Sequence, residues 1–299
     1  MKEFLIISGK GGTGKTSITA AFAALAGHIV LADCDVDTAN LHLLLKPVTH
    51  HTEEFVGSQK ASIDPANCTN CGLCQKLCRF EAINQTETAR VVDQLSCEGC
   101  GVCSCMCPQQ AITMQDHVSG HWFISDTQYG PMVHARLGIA EENSGKLVAK
   151  VREHAQRIAA QRHVDYILVD GPPGTGCPVI SSISGVDLAL IVTEPTITGM
   201  HDLLRVKQLA DHFGVEVMVC INKYDLDEAC TKQIETYCEK QRIEVAGHIP
   251  FDKNVVSAQI RGLSVADYQI DPAASSKGAA AAIKNTWQTV SKRLQTLPG

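Results

Sequence analysis

Ser8-Gly-Lys-Gly-Gly-Thr-Gly-Lys-Thr-Ser17 joins an apolar run, Phe4–Ser8, to an Ala-rich stretch, Ser17–His28. A glycine-rich turn between a strand-like and a helix-like segment lets backbone N–H groups converge on phosphate oxygens. The helix start adds its partial positive charge. The loop residues Gly9, Lys10, Gly11, Gly12, Thr13, Gly14, Lys15, Thr16 and Ser17 are therefore the expected nucleotide-binding set. Lys15 is placed to reach the β- and γ-phosphates, and the Thr16 hydroxyl to ligate Mg²⁺.

Working outward, Ile29–Ala32, Tyr166–Val169, Leu188–Val192, Val215–Ile221 and Val245–Ile249 read as strands. Lys146–Gln161, Met200–His212 and Glu228–Arg242 separate them as helices. This alternation predicts an α/β fold of the P-loop NTPase kind, with a mostly parallel sheet flanked by helices. The 299 residues allow about two domains at ~150 residues each. A net charge of −6 counts against broad nucleic-acid binding. No apolar run approaches the ~20 residues that span a bilayer, and no signal peptide is expected before the first strand, so a cytoplasmic location is predicted. Ile283, Trp287, Val290, Leu294 and Leu297 recur at helical spacing, which predicts a terminal helix docked on the domain rather than a membrane anchor.

Nine of the fourteen cysteines fall between Cys68 and Cys107. An internal repeat with an offset of 29 maps Cys68, Cys71, Cys74 and Cys78 onto Cys97, Cys100, Cys103 and Cys107. The spacing matches the pattern of bacterial two-cluster ferredoxins, in which the fourth cysteine of each run serves the other cluster. On that reading Cys68, Cys71, Cys74 and Cys107 hold one 4Fe–4S cluster, and Cys97, Cys100, Cys103 and Cys78 the other. Zinc is the rival metal, but its modules pair two separated Cys-x2-Cys knuckles. The expected organisation is an ATPase domain of residues 1–54 and 115–299, interrupted by an α+β ferredoxin-like domain of residues 55–114.

Lys10-Gly-Gly-Thr-Gly-Lys-Thr16 resembles the signature of the deviant Walker A ATPases, the MinD/ParA/Mrp and nitrogenase iron-protein group. The resemblance implies that Lys10 reaches across a dimer interface to the partner's nucleotide, as an arginine finger does elsewhere. Asp33-Cys-Asp35 resembles the family's first switch: Asp35 would orient the attacking water, and Asp33 would lie with Thr16 at Mg²⁺. Tyr166-Ile-Leu-Val-Asp-Gly-Pro-Pro-Gly-Thr-Gly176 resembles its Walker B strand and second switch, with Asp170 on Mg²⁺. Lys10, Lys15, Asp35 and Asp170 are thus the expected catalytic set. Asn222-Lys-Tyr-Asp225 also resembles the guanine motif of GTPases, but the loop and switches favour ATP, with Asn222 on the base.

The implied protein is an ATP-hydrolysing dimeric switch carrying ATP, Mg²⁺ and two 4Fe–4S clusters, with nucleotide state coupled to electron transfer. The alternatives are an iron–sulfur scaffold of the Mrp type, or a MinD/ParA-like positioning ATPase with a redox sensor. A homodimer, or a heterodimer with a paralogue, and a redox partner protein are expected, with no specific nucleic acid and no membrane association.

Overall fold

A computed structural model describes residues 1–87, 89–139, 141, 144–268 and 278–298. The chain divides into two compact units: Met1–Glu53, Trp122–Arg136 and Ser144–Gly299 form the first, Glu54–His121 and Leu137–Asn143 the second.

In chain order the elements begin with β1 (Lys2–Ser8), α1 (Lys15–Ala26), β2 (Ile29–Asp33), α2 (Leu41–Leu45) and β3 (Val48–Ile63). Next come α3 (Leu73–Leu77), β4 (Ile83–Gln85), β5 (Arg90–Val92), α4 (Val102–Cys105), β6 (Ile112–Thr127) and β7 (Gly130–Leu137). The remainder alternates: α5 (Ser144–Arg162), β8 (Tyr166–Pro173), α6 (Cys177–Ile183), β9 (Leu188–Thr193), α7 (Ile197–His212) and β10 (Glu216–Asn222). It closes with α8 (Glu228–Gln241), β11 (Glu244–Ile249), α9 (Lys253–Ile260) and α10 (Ala279–Thr296).

The sheet order is β11-β10-β9-β1-β8-β2-β7-β6-β3. From β11 to β7 every neighbouring pair is parallel. The interior strands are continuous apolar runs, as burial on both faces requires; β2 and β9 are buried along their whole length. The sheet is nevertheless mixed, which corrects the mostly parallel expectation. Only Gln128 and Tyr129 separate β6 from β7, and so short a link can only reverse the chain. Between β3 and β6 the side-chain bonds Thr49–Ser125, Ser58–Ser119 and Gln59–Asp116 run in opposite senses along the two strands, so that pair is antiparallel as well.

In the first unit α1 and α10 close one face of the sheet. Phe22 and Trp287 meet at 5.1 Å, and Phe4 stacks on Phe22 at 6.2 Å. Ile283, Trp287, Val290 and Leu294 of α10 are all buried in this core, so the terminal helix is docked. His50 and His51 lie within β3 and stay exposed.

On β7, His134 is buried between Phe123 (4.9 Å ring to ring) and Ser125, whose Oγ lies 2.8 Å from Nε2. Burial, with His42 nearby, lowers its pKa to about 4. A depressed histidine leaves the unfolded chain binding more protons below about pH 6.5, so this stability is present above 6.5 and is lost as pH falls towards 4. Between pH 7 and pH 5 the loss should be roughly 2 kcal/mol. Urea midpoints of the wild type and of His134→Gln at the two pH values test this. The variant should lose much of the pH difference, and an equal difference in both proteins would contradict the assignment.

The second unit turns the sequence repeat into a two-fold arrangement. Asp64 N donates to Ala111 O at 2.8 Å, and the repeat-related Asp93 N donates to Ala82 O at 2.7 Å. Gly72 (φ 80) and Gly101 (φ 75) take the same left-handed turn before α3 and α4. Its core is Ala61, Ile83, Val92 and Ile112, and Cys74, Cys78, Cys97, Cys103 and Cys107 pack against that cluster. Among the described residues no group of three or more His, Cys, Asp or Glu side chains is arranged to hold a metal ion. The expectation of a ferredoxin-like domain is corrected on that geometry.

Candidate functional site

In the parallel part of the sheet β1, β2, β8, β9 and β10 all run the same way, and their carboxyl ends meet at one edge. Ligands of α/β sheets bind at this edge. It carries Ser8 and the glycine loop, Asp33, Asp170, Thr193 and Asn222.

The loop is held from several directions. Ser8 Oγ donates to Lys10 O (2.6 Å), and Gly174 N donates to Ser8 O (2.9 Å). Asn222 Nδ2 donates to Thr13 O (2.8 Å), and Gln259 Nε2 donates to Ser17 Oγ (2.6 Å). Gly14 has φ +92, and a Cβ there would sit 2.5 Å from Asn222 Nδ2, so this position demands glycine on both counts. A Cβ on Gly9 would meet Asp202 Cβ at 2.1 Å. Lys15, 5% exposed, opens α1 and lines the same cleft as Gly11, Gly12, Thr16, Asp35 and Thr38.

Beneath that cleft the β2–β8 register sets Asp33 beside Asp170. Asp33 Oδ1 accepts from Asp35 N (3.2 Å), and Asp170 Oδ1 accepts from Thr19 Oγ1 (2.9 Å). The Oδ2 atoms of both residues are buried without a hydrogen-bond partner, as is Thr13 Oγ1. Burial pushes the Asp170 pKa up to about 6 against the pull of Lys15, Thr16 and Thr19. Burial also raises Asp33 well above the carboxylate range, with Asp170 and Asp35 adding to it. Two buried carboxylate oxygens lacking donors are costly, and a divalent cation relieves them. Mg²⁺ takes one or two carboxylates and fills its other positions with water and phosphate oxygens. Thr16, Asp33 and Asp170 therefore fit as its holders, and the ion would neutralise charge between the phosphates. Asp35, whose Oδ1 accepts from Thr38 Oγ1 at 2.8 Å, faces this cleft.

Lys10 points elsewhere. Its side chain is 38% exposed, and Nζ lies 3.7 Å from Glu194 Oε2. Glu194 Oε1 also accepts from Lys223 Nζ at 2.5 Å. A second cleft, sharing Gly12, Gly14 and Ser17 with the first, continues to Asn222, Phe251 and Asp252.

Three contributors are not apparent in the sequence. Glu194 directly follows the strand end at Thr193, and strand-end acids deserve scrutiny. Asp202 and Gln259 carry no such signal, because helix packing alone brings them to the loop.

Cys68, Cys71, Cys74 and Cys107 line one small cavity of the second unit, and Cys78, Cys97, Cys100 and Cys103 another. They do not form a group able to hold a metal ion. Burial raises the thiol pKa values of Cys74 and Cys103. Cys107 Sγ accepts from Ala111 N at 3.3 Å. The expected 4Fe–4S cofactors, and the electron-transfer role with them, are corrected accordingly.

A family model described as the CobQ/CobB/MinD/ParA nucleotide binding domain matches residues 4–265. An uncharacterized protein of Methanocaldococcus jannaschii is 37% identical over 224 residues, 74% of this chain and 78% of that protein. Among solved structures, the septum site-determining protein MinD of Pyrococcus horikoshii, complexed with Mg-ADP, is similar with a TM-score of 0.57 at 19% identity. That match covers 98% of this chain and 96% of the other. The MinC:MinD cell division complex of Aquifex aeolicus gives a TM-score of 0.58 at 20% identity, covering 100% and 98%.

The chain belongs to the CobQ/CobB/MinD/ParA nucleotide-binding family, and it is a P-loop ATPase. These fold matches cover 98% and 100% of this chain and indicate no separate inserted ferredoxin domain, which corrects that part of the sequence resemblance. A cytoplasmic setting is in keeping with the family. Among the described residues no helix is long and apolar enough to cross a membrane.

Proposed function

We propose that the protein is a nucleotide-dependent dimeric switch of the MinD/ParA kind, in which ATP closes two copies face to face and hydrolysis releases them. The observation that carries this reading is the position of Lys10. It sits on the phosphate loop yet reaches towards Glu194 while Lys15 lines the phosphate cleft, which supports reading its partly exposed ammonium as serving a second copy. In that arrangement Lys15, Thr16, Asp33 and Asp170 hold Mg·ATP, Asn222 meets the base, Asp35 orients water, and the partner's lysine neutralises the transition state.

The ATP-bound dimer would then meet a partner protein; the similar Aquifex MinD is found in a complex with MinC. Electron transfer and cluster delivery form no part of this reading. Light scattering tests it: the mass should be that of one chain with Mg·ADP and should double with a non-hydrolysable Mg·ATP analogue. A mass unchanged between the two nucleotides would contradict it.

A further inference from the structure

The Asn222-Lys-Tyr-Asp225 segment poses a question of base choice that the switch reading leaves open. In a guanine reader the aspartate faces the base and accepts two N–H bonds from its edge. Here Asn222, Lys223 and Asp225 each make a bond within the protein. Asn222 gives one Nδ2 hydrogen to Thr13 O and accepts from Lys223 N at 3.0 Å through Oδ1, which fixes the orientation of its amide. Lys223, in the left-handed region at φ 55, sends its ammonium to Glu194. The chain then enters a short 3-10 turn, Tyr224–Leu226, and Asp225 Oδ1 accepts from Phe251 N at 2.7 Å.

That bond lands on the turn that walls the base cleft. Phe251, 46% exposed, leads into α9. Asp252 secures the other side: Oδ1 accepts from Asn254 N (2.8 Å), and Oδ2 accepts from Ala279 N at the start of α10 (3.0 Å). The Phe251 backbone is held in the turn, and Phe251 lines the same cleft as Asn222, whose oriented amide retains one donor hydrogen and one acceptor lone pair. An asparagine amide matches the adjacent amine and ring nitrogen of adenine.

We infer that Asp225 is a positioning residue for adenine-nucleotide selectivity: its carboxylate holds the Phe251 backbone, and through it the base-facing turn, and does not read a guanine edge. The inference rests on the proposed nucleotide site. Its consequence separates the two roles cleanly. A carboxylate that reads guanine, once replaced by an amide, pairs instead with xanthine, whose 2-oxo group replaces the 2-amino group. A carboxylate that accepts from a backbone N–H can be replaced by an amide oxygen without any change in base choice.

Equilibrium competition by ATP, GTP and XTP, each with Mg²⁺, on the full chain and on D225N and D225A provides the test. Thermal melting of each variant without nucleotide serves as the folding control. The wild type should prefer ATP. D225A should bind ATP about tenfold more weakly, as expected when a hydrogen bond to a charged group is lost. D225N should recover most of that loss and gain no XTP binding. A gain of XTP binding by D225N, a wild-type preference for GTP, or equal ATP affinity in D225A and wild type would each overturn the inference while leaving the nucleotide site intact. Failure of the wild type to bind any of the three nucleotides would overturn the functional reading itself.

Discussion

Lys15→Ala is expected to lower ATP turnover by about 10²–10³, the scale on which one preorganised charge-stabilising donor acts. Lys15 is buried at the start of α1 and lines the phosphate cleft. Its charge also holds down the pKa values of Asp170 and Asp35, which burial otherwise raises. Alanine thus removes two things together: the cation that meets the phosphates, and the one that keeps the neighbouring acids ionised for Mg²⁺. The fold should survive, because carboxyls left without a cation can take up protons. Phosphate release and calorimetric titration with Mg·ATP measure the effect, and a variant retaining wild-type turnover would remove Lys15 from the chemistry.

Asp35→Asn should separate binding from hydrolysis. The amide oxygen can still accept from Thr38 Oγ1, so the switch segment keeps its anchor. What is lost is a carboxylate able to orient and deprotonate water, a change that costs about 10²–10⁴ in rate. Mg·ATP should still bind, and the ATP-induced dimer should persist for as long as nucleotide remains uncleaved. Phosphate release followed alongside light scattering reports both. Dimers that dissociate at the wild-type rate would assign the water to another group.

The phosphate loop was legible because its chemistry is local. Ser8–Ser17 needs only a strand before it and a helix after it, and β1 and α1 provide them. The alternating strands and helices were legible for the same reason, as was the docked α10, whose apolar spacing survives in its buried stripe. Asp33 was nameable from resemblance as a candidate Mg²⁺ acid, but its setting was not. That Asp33 and Asp170 stand side by side with two orphaned oxygens depends on the β2–β8 register, a contact between residues 137 positions apart.

The cysteines show the opposite limit. The 29-residue repeat is real at the backbone, in the matched Asp64 and Asp93 bonds. Spacing, however, does not dictate where sulfurs point, and here five of them pack on Ala61, Ile83, Val92 and Ile112. The sheet reversal at Gln128 and Tyr129 went unread because the expectation of parallel α/β alternation masked a hairpin.

The central claim is that Lys10 acts on the nucleotide of a second copy, and mixing two inactive variants tests it most directly. Lys10→Ala keeps its own Lys15 and Asp35 but offers no lysine to a partner. Asp35→Asn offers Lys10 but cannot hydrolyse in its own site. Each alone should be nearly inactive. In a mixed dimer one site has both Asp35 and a partner's Lys10, so equimolar mixing with Mg·ATP should restore a substantial fraction of wild-type turnover. If Lys10 serves its own nucleotide, no site in the mixture is complete, and turnover that stays at the level of the separate variants would contradict the account.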